Sequence, residues 1–490
     1  MVKFLKEVSI NKYLLWFWEG MRWRGKRFWN CLCIFLKSKF IDLLCVLHWS
    51  HQYQIYLEHG VRFYVYRKQV NRSQWYSEKE FRHYQNNRLK RIMLHAYENV
   101  PYYRKLFDSH GININDIEGI DQLSRIPILE KESVKTNPVD FLAKNTWKYK
   151  NMKFRTSGST GKPIEFFVDR KLNTFGLALT WRDFNSVGYT FNKRCVLITH
   201  PFGFKEGKIN RKDLWKFYKL SNVLDINTAM LEGENIMTIC KKIEEFNPEY
   251  ISTYPSFAYT LSLYLENHRT INIKPKGIIT GSEKLYPEQK ELIEQVFGCK
   301  VYDFYGIWEH LMFASACSHG NLHTNPELGI LEIIKNGKRC KKGETGELVC
   351  TTLHNYSMPL LRYAMGDYGY IEDTECPCGR KSEILNIVGS RNKDLIVTKR
   401  GFINVMSGTP WFGHKSRIKQ IQFYQEKKGE VIVRLVPDED FNNTDLHNLK
   451  ESLHNYFNDS VDLSLEFVKE IPRTEAGKYK YVESRVPIEL

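Results

Sequence analysis

The stretch that decides the fold is Arg155-Thr156-Ser157-Gly158-Ser159-Thr160-Gly161-Lys162-Pro163. Glycines let such a loop turn sharply and expose backbone N–H groups, while its hydroxyls and one ammonium can surround a polyphosphate. Strand-like residues flank it at 149–154 and 164–168. A glycine-rich loop between two strands is typical of phosphate binding, and an ordinary polar turn is the alternative.

The loop does not fit the Walker A motif. That motif needs four residues between its glycines and a Ser or Thr after the Lys, whereas Gly158 and Gly161 are three apart and Pro163 follows Lys162. The string T-S-G-S-T-G-K-P instead resembles the phosphate loop of the adenylate-forming superfamily, the acyl-CoA synthetases and their relatives. The resemblance implies that ATP phosphates bind Thr156, Ser157, Gly158, Ser159, Thr160, Gly161 and Lys162.

Composition narrows the class of protein. The 490 residues are enough for two to four domains, and the net charge of +16 favours anionic partners such as nucleotides, acidic sugars or an anionic membrane surface. No nucleic-acid recognition motif is present, so no nucleic-acid partner is expected. Eleven scattered cysteines without an evident signal peptide indicate a reducing, cytoplasmic location.

The N-terminal segment alternates aromatic-rich apolar patches with basic residues. Examples are 14–18, 28–36 and 40–47, with Arg and Lys between them. Each patch is too short to span a bilayer, so no transmembrane helix is expected. The pattern favours helices at a membrane interface, with peripheral contact on the inner face of the membrane. Packing of these helices on the main domain or on a partner subunit is the alternative.

From residue 164 to about 390, helix-like and strand-like segments alternate along the sequence, which predicts an α/β fold. Helices are predicted at 172–184, 233–246, 257–266 and 287–297, and strands at 195–198, 250–255, 277–280 and 300–304. Ligands in such sheets collect at the carboxyl ends of the strands. The motifs described next lie at those ends.

Three strand ends resemble superfamily motifs. Asp303-Phe304-Tyr305-Gly306-Ile307-Trp308-Glu309 is similar to Y-G-x-T-E, with Trp308 in place of Thr. In relatives the Tyr packs on adenine and the Glu helps hold Mg²⁺, so Tyr305 and Glu309 are expected in these roles. Gly281-Ser282-Glu283 resembles the segment whose backbone faces adenine. Tyr254 lies where relatives place the acyl pocket.

The remaining motifs follow in superfamily order. Residues 362–367 resemble the R-Y-x-x-G-D motif, which ends at Asp367. In relatives this Asp binds the ribose hydroxyls. An Asp that caps a turn, with no ligand, is the alternative. Residues 388–396 resemble the G-R-x-K-D-x-I hinge, with Ser390 inserted, which implies nucleotide contact by Arg391 and a pivot at Lys393. Lys478, in P-R-T-x-x-G-K, is expected to be the catalytic lysine, rather than a solvated charge.

Four residues with side chains that can bind a soft metal ion form two pairs in the sequence. The pairs are Cys317 with His323, and Cys376 with Cys378. One His and three Cys suit a tetrahedral structural zinc site. His319 competes with His323 for the nitrogen position. Free buried thiols are the alternative interpretation.

The motif order resembles the phenylacetate-CoA ligase and CapK branch, including the "VPYYR…IPIL.K" segment near residues 100–131. The resemblance implies an α/β adenylation domain at 76–389, a small mobile α+β lid at 390–490, and the N-terminal segment at 1–75. The expected activity is ATP- and Mg²⁺-dependent activation of a carboxylic acid, followed by transfer to coenzyme A or to an amine or hydroxyl in surface polysaccharide synthesis. Transfer of AMP itself, as in coenzyme F-390 synthetase relatives, and a non-catalytic nucleotide-binding scaffold stay open.

Overall fold

The computed structural model describes residues 51–155, 164–199, 214–219, 221–227, 231, 235–307, 309–390, 395–399, 401–404, 417–457, 459–472 and 480–486. Several predicted features lie outside these residues. They are the N-terminal residues 1–50, the loop residues Thr156, Ser157, Gly158, Ser159, Thr160, Gly161 and Lys162, the position Trp308, and the residues Arg391, Lys393 and Lys478.

The described chain begins with helices. These are α1 (His51–Ser73), which bends at Gly60, α2 (Glu78–Asn99), α3 (Pro101–Ser109) and the short α4 (Lys131–Thr136). Ser77 caps α2 in a capping box with Glu80. The helix ends at Val100 because the residue before a proline disfavours the helical conformation. No helix among the described residues is long and apolar enough to span a membrane.

The strand flanks predicted for the phosphate loop are confirmed. β1 (Met152–Arg155) and β2 (Glu165–Val168) pair antiparallel, and Arg155 lies opposite Glu165. The glycine-rich stretch therefore connects two paired strands, and the ladder fixes where both of its ends start.

The central sheet has eight strands in the order β10-β9-β8-β7-β6-β3-β5-β4. The five inner strands β5, β3, β6, β7 and β8 are parallel, whereas β4, β9 and β10 pair antiparallel to their neighbours. The strands are β3 (Cys195–Ile198), β4 (Trp215–Tyr218), β5 (Val223–Ile226), β6 (Tyr250–Thr253), β7 (Gly277–Gly281), β8 (Lys300–Gly306), β9 (Phe313–Ala316) and β10 (Leu322–Thr324).

Helices cover both faces of this sheet, as a parallel sheet requires. α6 (Asn235–Phe246), α7 (Pro255–Asn267) and α8 (Pro287–Phe297) pack on one face, where Val196 and Ile278 are fully buried. α5 (Arg170–Ser186) packs on the other face, against strand residues such as Cys195 and Ile279. The strands and helices predicted between 172 and 304 are confirmed to within a few residues.

The predicted alternation up to residue 390 is wrong beyond β8. Residues 329–390 form a second, antiparallel sheet in the order β12-β11-β13-β14-β15. The strands are β11 (Gly329–Lys335), β12 (Lys338–Arg339), β13 (Gly346–Thr352), β14 (Tyr363–Ile371) and β15 (Leu385–Ser390). Asn336 and Gly337 join β11 to β12 with positive φ of 50° and 73°, which favours a hairpin over a helical crossover.

The C-terminal part is α+β, as predicted. The β16 (Leu395–Thr398) and β17 (Gly401–Asn404) hairpin precedes a sheet of order β20-β19-β18-β21. Its elements are β18 (Ile418–Gln425), β19 (Glu430–Pro437), α9 (Asn443–Phe457), β20 (Asp462–Phe467) and β21 (Val482–Ser484). Leu449 and Leu453 of α9 pack on Phe423 and Val433 of the sheet. Tyr286 of the large domain joins this apolar cluster.

Candidate active site

The candidate site lies where the parallel strands end. β6 ends at Thr253, β7 at Gly281 and β8 at Gly306, so the residues that follow them share one edge of the sheet. Neighbouring parallel strands present their carboxyl ends together. Tyr254, Ser282, Tyr305 and Glu309 are thereby gathered from motifs that are far apart in sequence.

Tyr305 and Asp367 form a direct contact between the two sheets. The Tyr305 hydroxyl donates a hydrogen bond of 2.5 Å to Asp367 Oδ2. Burial, reinforced by the Asp367 charge, raises the pKa of Tyr305 well above its usual range, so the hydroxyl keeps its proton and acts as a donor. Asp367 follows Gly366, whose φ of +75° favours glycine. Two residues that the resemblance assigns to one nucleoside are therefore in contact.

Glu309 is buried beside the same pair, with 4% of its surface exposed. The Tyr363 hydroxyl donates to Glu309 Oε1 at 3.5 Å, and Lys131 Nζ lies 4.0 Å from that oxygen. Burial raises the pKa of Glu309, and the Lys131 ammonium opposes the rise. Glu309 is thus a buried carboxyl that the Lys131 ammonium contacts only at the 4.0 Å limit of an ion pair.

Sequence reasoning assigned no role to Lys131, although it ends the quoted "IPIL.K" string. Leu129 N donates to Arg362 O at 2.9 Å and Ala364 N donates to Leu129 O at 3.0 Å, so residue 129 is held against β14. The buried Arg362 guanidinium bonds Glu332 at 3.0 and 3.2 Å and Ile126 O at 2.6 Å. The Arg of R-Y-x-x-G-D therefore positions the segment that carries Lys131.

The segment expected to face adenine is tied into the fold. Glu283 Oε2 accepts a hydrogen bond of 3.0 Å from Ser256 N at the start of α7. Lys284 Nζ donates to the carbonyl of Val388, close to the predicted hinge. A Cβ on Gly281 would lie 3.0 Å from Phe304 O, and one on Gly306 would lie 3.0 Å from the Phe304 ring. Nucleotide contact by these residues stays a prediction.

Asp303 and Tyr254 are less open to a ligand than the other candidates. Thr280 Oγ1 donates to Asp303 Oδ1 at 2.8 Å, and burial raises the pKa of Asp303. Tyr254 is 7% exposed and its ring is stacked with Phe257, with 5.8 Å between the ring centroids. It packs in the core between the sheet and α6–α8. A substrate-pocket role for Tyr254 stays a prediction.

The four candidate zinc ligands come together. One ligand atom from each of Cys317, His323, Cys376 and Cys378 lies within 4.8 Å of all the others. Cys317 Sγ is 3.6 Å from Cys376 Sγ, and Cys378 Sγ is 3.3 Å from His323 Nε2. A tetrahedral zinc ion with bonds of about 2.3 Å to sulfur separates its sulfurs by about 3.8 Å. The donor set therefore fits zinc in number, type and spacing.

The imidazole of His323 is oriented for such a site. Its Nδ1 lies 3.0 Å from Ser382 O, which fixes the Nδ1–H tautomer and leaves the Nε2 lone pair facing the sulfurs. His319, the competing residue, is outside the metal-binding group formed by the described residues. The choice between the two histidines is thus decided by β10, which places His323 inside and fully buried.

Comparisons with known proteins show what the chain is similar to. Residues 391–485 match the family model for the CapK C-terminal domain. The chain is 26% identical over 415 residues to Protein CapK of Staphylococcus aureus, covering 82% of this chain and 89% of that protein. It is 26% identical over 339 residues to phenylacetate-coenzyme A ligase of Thermus thermophilus, covering 64% of this chain and 71% of that one.

Solved structures share the fold. The 2-hydroxyisobutyryl-CoA ligase in its postadenylation state, in complex with 2-HIB-AMP, matches with a TM-score of 0.66 at 17% identity, covering 84% of this chain and 91% of that chain. Its complex with R3-HIB-AMP matches with a TM-score of 0.65 at 18% identity and the same coverage. At such identities the likeness establishes the fold, a large α/β domain followed by a smaller C-terminal domain.

Proposed function

The chain belongs to the phenylacetate-CoA ligase and CapK branch of the adenylate-forming ligases, and we propose that it uses ATP to activate a carboxylic acid as an acyl-adenylate. The observation that carries the proposal is the contact of Tyr305, at the end of β8, with Asp367 of the second sheet, and the buried Glu309 that follows β8. An aromatic face, an acceptor for two hydroxyls and a carboxylate for a cation are the groups that a nucleotide with Mg²⁺ requires.

Each part of ATP has a proposed partner. The ribose hydroxyls donate to Asp367, the adenine packs on Tyr305 near residues 281–283, and the phosphates bind the loop from Thr156 to Lys162. Glu309 would hold Mg²⁺, which neutralises phosphate charge when bound. Lys131 adds a cation beside Glu309, and its side chain is 43% exposed, so the ammonium can move between the carboxylate and a phosphate oxygen.

The proposed reaction breaks one phosphorus–oxygen bond and forms another. A carboxylate oxygen of the substrate attacks the α-phosphorus, and pyrophosphate leaves with the bonding electron pair. Lys478 neutralises the charge that develops on the α-phosphate, and Arg391 contacts the nucleotide. Positioning of the two reactants supplies much of the rate. The products are an acyl-adenylate and pyrophosphate.

A second step transfers the acyl group, after rotation of residues 390–490 about Lys393. The acceptor's nucleophile attacks the carbonyl carbon, AMP leaves, and the acceptor loses its proton. The branch contains coenzyme A ligases, which favours a thiol acceptor. An amine or hydroxyl of a surface polysaccharide precursor, which the sequence resemblance to the CapK branch implies, is the second candidate.

We also propose that Cys317, His323, Cys376 and Cys378 bind a structural zinc ion. The four side chains leave no open position for a substrate, so the ion would act on stability alone. Cys378 and Arg380 lie on one short turn, and the Arg380 guanidinium reaches Gln74 beside α1. The site would therefore stabilise the contact between the second sheet and the N-terminal helix.

Pyrophosphate release with ATP and Mg²⁺ across a panel of carboxylic acids tests the proposal. Release that depends on a carboxylate supports adenylation, and its further dependence on coenzyme A separates a thioester ligase from an enzyme with another acceptor. Nucleotide binding with AMP transferred to a non-carboxylate acceptor would replace the proposal with AMP transfer. Nucleotide binding without turnover would favour a scaffold.

A further inference from the structure

The helix α1 has two unlike faces after its bend at Gly60. One face is buried: Phe63 is 1% exposed and Val70 is fully buried. The opposite face carries Val61, Tyr64 and Val65, at the i, i+3, i+4 spacing of one helical stripe, with exposures of 80%, 42% and 58%. A soluble helix normally presents polar residues outward, so this stripe requires an explanation.

The inner face of α1 is firmly attached to the domain. At its start His59 Nδ1 contacts Thr174 Oγ1 at 2.6 Å, and in its middle the Tyr66 ring meets Phe175 edge-on with centroids 5.2 Å apart. At its end the Ser73 hydroxyl donates to Glu327 Oε1 at 2.6 Å. These contacts hold the outer face in a defined orientation relative to the sheet.

A buried network of charges fixes the end of the helix. Arg182 Nη1 lies 2.8 Å from Glu327 Oε1, and Arg182 Nε lies 2.9 Å from Asp183 Oδ1. Arg380 Nη2 donates to Gln74 Oε1 at 3.1 Å. Buried ion pairs of this kind contribute little net stability, but they fix the relative position of the segments that carry them. The helix therefore forms a rigid part of the large domain.

The outer face is also cationic. Residues 61–75 contain four Lys and Arg and no Asp or Glu, and Arg62, Lys68 and Arg72 are exposed. Trp75, in the turn that follows α1, is 58% exposed. The preceding residues 1–50 add nine Lys and Arg against three Asp and Glu. Mixed apolar, tryptophan and cationic side chains on one face match the boundary of an anionic bilayer.

We propose that the outer face of α1, formed by Val61, Val65, Lys68 and Arg72, docks on an anionic lipid membrane together with Trp75 in the turn that follows the helix. Charge favours this occupant over a second copy of the face, which would bring cations against cations. Because the helix is held rigidly, docking would also fix the orientation of the Tyr305–Asp367 pair relative to the lipid surface.

Vesicle sedimentation of the full chain tests the proposal, with phosphatidylcholine vesicles and with phosphatidylcholine–phosphatidylglycerol vesicles. Val61→Asp with Val65→Asp should lower the partition coefficient on anionic vesicles by about tenfold or more. Lys68→Glu with Arg72→Glu should lower it by about fivefold per residue, on anionic vesicles only. Val139→Asp, at a site that is 72% exposed elsewhere, is the matched control and should bind as wild type.

The outcomes separate the occupants. Wild-type binding by the Val61→Asp, Val65→Asp variant, or equal binding of the wild type to neutral and anionic vesicles, would overturn the proposal. Self-association is measured by light scattering without vesicles. If that variant loses self-association but still binds vesicles as the wild type does, the face is assigned to a second copy of the chain. An unchanged thermal midpoint shows that each variant is folded, so failure here leaves the adenylation proposal untouched.

Discussion

Tyr305 and Asp367 connect the two sheets of the large domain through one short hydrogen bond from β8 to β14. The acceptor lies in the antiparallel sheet, whereas the donor ends a parallel strand. A nucleoside placed here would contact both sheets at once. Nucleotide binding at this pair would therefore depend on the relative placement of the two sheets.

Asp367→Asn should weaken AMP and ATP binding by about tenfold to a hundredfold, since a hydrogen bond to a charged group contributes about 1.5–3 kcal/mol. Isothermal titration with AMP measures the effect. Tyr305→Phe is the matched variant, because it keeps the ring and removes only the hydroxyl, and it should cost less. Equal affinity of Asp367→Asn and wild type would remove Asp367 from the site.

Glu309→Gln should slow pyrophosphate release by about a hundredfold or more and raise the Mg²⁺ concentration needed for half-maximal rate. The amide keeps the shape but loses the charge that a hard cation prefers. Nucleotide binding without Mg²⁺ should be unaffected, which separates a metal role from a folding defect. An unchanged Mg²⁺ dependence would contradict the assignment.

Lys131→Ala should lower the rate of pyrophosphate release by about tenfold, because it removes the cation beside Glu309. Lys131→Arg should restore part of the rate. Lys135→Ala, one turn further along α4, is the control and pairs only with Glu132 among the described residues. If Lys131→Ala and Lys135→Ala behave alike, Lys131 has no role in the reaction.

The four-residue Cys/His group predicts one zinc ion per chain by elemental analysis. Cys376→Ser should abolish the zinc and lower the thermal midpoint, whereas Cys340→Ser, a half-buried thiol outside the group, should retain it. Chelation of the wild type should reproduce the lower midpoint. A zinc-free wild type with the same midpoint after chelation would leave the group as buried thiols.

His354 makes stability depend on pH. Burial, aided by Arg88, lowers the pKa of His354 to about 3, so the folded protein keeps it neutral. Below about pH 6.5 the unfolded chain binds a proton that the folded chain does not, so stability falls as pH falls. His354 alone should contribute about 2 kcal/mol to the loss from pH 7 to pH 5. Urea unfolding at both pH values should show a smaller loss of stability for His354→Asn than for the wild type. The His110→Asn variant, changed at an exposed position, should show the same loss as the wild type.

The parallel half of the fold could be predicted because apolar strands and amphipathic helices alternate there, with Pro255 and Pro287 starting α7 and α8. The antiparallel half was missed. Its strands have a similar β-rich composition, and their pairing depends on turns such as Asn336-Gly337, a hairpin signal that the sequence does contain.

The site was predictable where a motif keeps its residues close in sequence, as for Tyr305 with Glu309. It was not predictable where contacts join distant segments. Lys131 lies 178 positions before Glu309, and contacts of residues 126 and 129 with Arg362 and with β14 bring it near. Likewise, the roles of Arg362 and Glu283 as anchors depend on partners that no local pattern identifies.

Exchange of labelled pyrophosphate into ATP, with a panel of carboxylic acids and no acceptor, tests the central claim most directly. We predict carboxylate-dependent exchange that Lys478→Ala abolishes while ATP binding persists, with the exposed Lys469→Ala as the control. Exchange that proceeds at the same rate in Lys478→Ala, or that no carboxylate stimulates in a protein that binds ATP, would contradict acyl-adenylate formation by this site.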